Sequence, residues 1–127
     1  MSLKSAFIFV CENYILDVDN KVSIINIIGT IKISKLPHKL PYWVYSTALG
    51  WEGKHKLKMT MVTPQGNEEI LGQIKVDFPG YKQSHIYLEP LREKEFKEYG
   101  EYVLRLYIDD ECSAENFISV IPLNSED

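Results

Sequence analysis

Apolar and polar positions alternate in short runs along most of this chain, the two-residue period of half-buried β-strands. From His55 to Thr63 the pattern sets Leu57, Met59 and Met61 against Lys56, Lys58 and Thr60. The run from Glu68 to Phe78 repeats it, with Ile70, Ile74, Val76 and Phe78 expected inward. From Gly100 onward, Tyr102, Leu104, Leu106 and Ile108 share one side.

Turn residues separate these runs at strand spacing. A first strand from about Ala6 to Asp17 meets Asp17-Val18-Asp19-Asn20, whose side chains bond nearby backbone readily and favour a hairpin. The β-branched run from Lys21 to Ile33 is read as one strand with Ile25, Ile27, Ile31 and Ile33 on one face and a bulge at Gly29. Ser34 to Pro41 carries two prolines that cannot donate ladder hydrogen bonds, which suits a crossing between sheets. From Tyr42 to Trp51 the bulkier face, Trp43, Tyr45, Thr47, Leu49 and Trp51, is expected inward, with the face of Tyr42 and Val44 as the alternative. Gln83 to Pro90 reads as a strand with Ile86 and Leu88 packed inside. Leu91 to Glu98 is the only helix-like piece, about two turns anchored by Leu91 and Phe96. Asp109-Asp110-Glu111 turns into a last strand around Asn116 to Leu123, and the end of the chain is expected to fray.

These runs predict an all-β, antiparallel sandwich of seven to nine strands with at most one short helix, since no helix is long enough to cross between parallel strands. Gly100-Glu101-Tyr102 resembles the entry to a late strand of an immunoglobulin-like sandwich, which implies that the Tyr102 hydroxyl bonds backbone a few residues upstream. The cysteine of antibody-type domains is Leu104 here, so their inter-sheet disulfide is not expected. Cys11 to Asp17, Lys21 to Asn26 and Gly100-Glu101-Tyr102 together resemble a family of small bacterial β-sandwich proteins of unknown function. The resemblance covers most of the chain and implies no activity or catalytic residue.

A length of 127 residues with 45% hydrophobic and 25% charged residues fits one globular domain over 1–127. No apolar run reaches membrane length, and the first apolar run lacks a cleavage site, so it is read as a strand and not a signal peptide. The net charge of -4 and the scattered basic residues argue against nucleic acid. Cys11 and Cys112, which the reading places in a late turn, belong to no pairing or metal motif; reduced thiols in the cytoplasm are expected.

Candidate chemistry is sparse. Asp17, Asp19, Asp109, Asp110 and Glu111 are the residue types that hold calcium, but turn chemistry accounts for them and no metal or cofactor is expected. His38, His55 and His85 lack zinc spacing. Asp110 and Glu111 beside Cys112 should raise its thiol pKa, the reverse of what a nucleophile needs. No nucleophile elbow or phosphate-binding glycine loop occurs, so no enzyme is expected. Aromatic residues remain. Tyr107 faces opposite to Leu106 and Ile108, and Tyr87 opposite to Ile86 and Leu88, which makes these two tyrosines the candidate contact residues, with burial in the second layer or under a loop as the alternative. The expected role is an interaction module that binds a protein partner or itself; the alternative is a small-ligand or carbohydrate module using exposed aromatics.

Overall fold

The opening apolar run forms β1 (Ser5–Leu16), which pairs antiparallel with β2 (Val22–Ile28), Val10 opposite Ile28 and Leu16 opposite Val22. The computed structural model describes residues 3–19 and 21–124, so Asn20 of the intervening turn and residues 125–127 of the tail lie outside the described residues. Asp17 shapes that turn locally, its Oδ1 accepting the amides of Asp19 at 2.8 Å and Lys21 at 3.0 Å.

The remaining strands are β3 (Thr30–Ile33), β4 (His38–Lys39), β5 (Trp43–Leu49), β6 (Gly53–Val62), β7 (Glu68–Phe78), β8 (His85–Pro90), β9 (Glu95–Phe96), β10 (Gly100–Ile108) and β11 (Glu111–Pro122). One sheet has four strands in the order β2-β1-β5-β8, the other five in the order β3-β11-β10-β6-β7, and β4 pairs with β9. The all-β expectation therefore holds, and no helix is present among the described residues. Two details differ. Among the described residues β3 runs parallel to β11, the exception in otherwise antiparallel pairing, and the short β4–β9 pair brings the strands to eleven.

Gly29 is a crossing point and not a bulge within one strand. β2 belongs to the four-stranded sheet and β3 to the other, with the Gly29 carbonyl accepting the Ser119 amide at 2.9 Å. The four isoleucines consequently do not share a face: Ile31 and Ile33 are buried, whereas Ile27 is 65% exposed. Ser34 to Pro41 carries the chain back to the four-stranded sheet, as its prolines imply.

The inner faces of the two sheets share one core. Leu57, Met59 and Met61 of β6 and Tyr102, Leu104, Leu106 and Ile108 of β10 occupy it as their alternation predicts. β5 faces the opposite way to the expectation: Val44, Ser46 and Ala48 are buried, and Trp43, Tyr45 and Thr47 look outward. Large residues of the five-stranded sheet already fill the interior, so the small face of β5 fits beneath them. Gly50, at φ 105, then resets the phase and lets Trp51 turn inward. Ile70 of β7 is also exposed rather than buried, because a register shift opposite Met59 and Thr60 turns Leu71 toward the core instead.

The expected corner is present, the Tyr102 hydroxyl donating to the Glu98 carbonyl at 2.7 Å. Leu91 and Phe96 are fully buried anchors, but the segment between them is a turn leading into β9 and not a helix, since β4 offers Phe96 a backbone partner at His38. Asp109 and Asp110, with φ of 52 and 68, make the two-residue hairpin between β10 and β11, and Cys112 lies in β11 rather than in the turn.

Candidate interaction surface

The outer face of the four-stranded sheet assembles from rows of register neighbours. Phe7 lies beside Thr47 and then Ile86; Phe9 beside Tyr45 and then Leu88; and Ile27 beside Cys11, Trp43 and Pro90. Phe9 stacks on Tyr45 with centroids 4.8 Å apart, and Tyr14 meets Trp43 edge-on at 5.0 Å. Cys11, between Ile27 and Trp43, is fully covered, and burial raises its thiol pKa. Phe7 is 60% exposed and Ile27 65%.

No Asp, Glu, Lys or Arg occurs in Ser5 to Cys11, in β2, in β5 or in Ile86 to Leu88. Apolar side chains on both faces of a strand are the mark of a strand covered on both sides. Phe7-Ile8-Phe9-Val10-Cys11 shows that pattern in the sequence, apolar at both parities, a signal that could have pointed to this face and that the reading of the first strand did not use.

The outer face of the five-stranded sheet carries a charged network alongside the exposed Ile70 and Phe117. The Glu68 carboxylate accepts the Thr60 and Tyr107 hydroxyls at 2.6 Å each and the Arg105 guanidinium at 3.3 Å, while Arg105 Nε donates to Glu115 at 2.7 Å. The hydrogen bond from Thr60, reinforced by that from Tyr107, holds the Glu68 carboxyl below its usual range. Thr60, expected on an open polar side, is therefore buried under this network.

These two faces relocate the candidate contact residues. Tyr87 is only 5% exposed and points into the core, where its hydroxyl donates to Glu89; β8, like β5, carries its expected inner residues Ile86 and Leu88 on the outside. Tyr107 does lie on an outer face, but it is half-buried, committed to Glu68, and covered by the Lys58 ammonium 4.8 Å above its ring. Hydrogen bonding to Glu68 raises its phenol pKa. The surface brought together by the fold is that of Phe7, Phe9, Ile27, Trp43 and Tyr45.

A cleft of about 380 Å³ beside the β10–β11 turn is lined by His55, Asp109 and three lysines. His55 Nδ1 pairs with the Asp109 carboxylate, and Nε2 lies 2.8 Å from the Glu52 carbonyl. Both partners are acceptors, so full satisfaction requires the doubly protonated ring, and the Asp109 hydrogen bond raises the His55 pKa most. Asp109 also accepts the Lys56 amide at 2.9 Å, and Asp110 pairs with Lys56 Nζ at 3.2 Å. This arrangement fastens the turn to β6. Its imidazole holds two acceptors and no hydroxyl or thiol to activate. Among the described residues no group of three or more His, Cys, Asp or Glu side chains is placed to hold a metal ion. The Cys112 thiol pKa is raised, chiefly by burial and then by Glu115, rather than by the adjacent Asp110 and Glu111.

Comparison with protein families matches residues 6–121 to a family of unknown function (DUF6941). No curated protein matches the chain. No helix among the described residues is long and apolar enough to cross a membrane.

Proposed function

Since this chain belongs to the DUF6941 family, whose function is unknown, we propose a role from its own surface: a non-enzymatic β-sandwich module that binds protein through the outer face of the four-stranded sheet. The observation that carries it is the uncharged apolar face with Phe7 and Ile27 at its surface, opposite a sheet whose exposed Ile70 and Phe117 are interrupted by the ion pairs of Arg105 with Glu68 and Glu115. Contiguous apolar surface of this kind marks interaction sites, and aromatic residues supply contact area at low entropic cost. The absence of charged and amide groups across the centre favours protein over carbohydrate, whose hydroxyls need polar partners beside the stacking ring. The unpaired cysteines agree with a reducing, cytoplasmic setting, and the Tyr102 corner with an immunoglobulin-like relationship between the sheets.

The test is affinity capture from the source cell with the wild-type chain and with Phe7→Lys and Ile27→Lys in parallel. Partners lost with both variants but retained by Phe117→Lys on the opposite sheet support the reading. Capture indifferent to all three, or a glycan-array signal abolished by Trp43→Ala, overturns it.

A further inference from the structure

We infer that the occupant of this face is a second copy of the chain, the two copies packing their four-stranded sheets face to face about a two-fold axis; the inference rests on the docking-face reading above. Sheets pack on sheets at a spacing of about 10 Å and a small angle set by their twist, and the inner side of this sheet is already used that way. An isologous interface needs one patch complementary to itself. A face without charges meets that condition, because no like charges are brought into apposition.

The area is adequate. Four strands about 4.8 Å apart and seven residues at about 3.3 Å each give a footprint of roughly 20 by 23 Å. Burying it on two copies removes on the order of 1,000 Å² of accessible surface, the threshold for specific association, so the dimer is reversible rather than obligate.

Sedimentation equilibrium of the full chain from micromolar to millimolar concentration tests this. The wild type should follow a monomer–dimer equilibrium; Phe7→Lys should weaken it at least about tenfold by apposing two new charges, and Phe117→Lys should leave it unchanged. Phe7 is largely exposed, so an unchanged melting temperature confirms that Phe7→Lys is folded. A wild type that stays monomeric throughout, or a dimer indifferent to Phe7→Lys, overturns the self-pairing. If a different protein is still captured in a Phe7-dependent manner, the docking-face reading survives that result; if Phe7→Lys changes neither readout, both fall.

Discussion

Tyr102 and Glu98 are joined by a hydrogen bond of 2.7 Å from phenol to backbone carbonyl, four residues apart, at the point where the chain enters the central strand of the five-stranded sheet. The ring is buried against Phe96, with centroids 5.1 Å apart, so one side chain fixes both the corner and the packing beneath it. Tyr102→Phe keeps the ring and removes the bond. It should cost about 1 kcal/mol and lower the melting temperature by roughly 3–5 °C for a domain of this size. An unchanged melting curve would show that the corner bond contributes nothing.

The His55–Asp109 pair should leave a pH signature. The raised His55 pKa makes its contribution fully present below the ordinary value of 6.5 and lost as pH rises through the raised folded value. The lowered Asp109 pKa makes its contribution present above 3.8 and lost as pH falls through the lowered folded value. The stability difference between wild type and Asp109→Asn should therefore peak between these limits and shrink on both sides. His85, whose pKa burial lowers, adds an opposite slope below 6.5, but it is common to both proteins and cancels in the difference. A difference that is flat with pH would refute the pairing.

Separating binding from folding is possible because the two faces of the same sheet differ. Phe7→Ser on the outer face should change stability by no more than about 0.5 kcal/mol, whereas Leu104→Ala in the core should cost about 2–5 kcal/mol. Urea denaturation of both measures this, and a Phe7→Ser loss as large as that of the core variant would mean the outer face is structural.

Glycine substitutions should rank by what a new Cβ meets. At Gly50, φ is 105 and the added carbon would collide with the backbone of Leu3 and Lys4. At Gly66, φ is 91 and the space is open. Gly66→Ala should cost about 1 kcal/mol from backbone strain alone and Gly50→Ala clearly more, since backbone cannot move aside as a side-chain end can. Equal losses in thermal melts would contradict this ordering.

Thiol labelling gives a further check. Cys112 is exposed and Cys11 covered, so native protein should titrate one thiol with Ellman's reagent and unfolded protein two. Rapid labelling of both in the native state would show that the cover over Cys11 opens.

Strand existence was legible wherever one parity was apolar and the other charged, as in β6 and β10, because such a strand has only one stable facing. The same argument failed for β5, which is apolar or neutral on both parities and offers no such bias, and for β8, where the parity carrying His85, Tyr87 and Glu89 turns inward because the Tyr87 hydroxyl finds its partner in Glu89. The hairpin at Asp109-Asp110 was legible from residues that tolerate left-handed backbone, but the bond of Asp109 to His55 joins residues 54 positions apart and left no local trace.

By itself the sequence determined the strand-rich class, the turns, the buried faces of β6 and β10 and the Tyr102 corner, all of which depend on short-range pattern and backbone chemistry. Only the tertiary structure decided that Gly29 divides one apolar run between two sheets, that Val44, Ser46 and Ala48 turn inward, and that Phe9, Trp43 and Tyr45 form a surface. The physical reason is volume: the large residues of the opposing sheet fill the interior, and a strand apolar on both sides yields its small face to that space and its aromatic face to the outside.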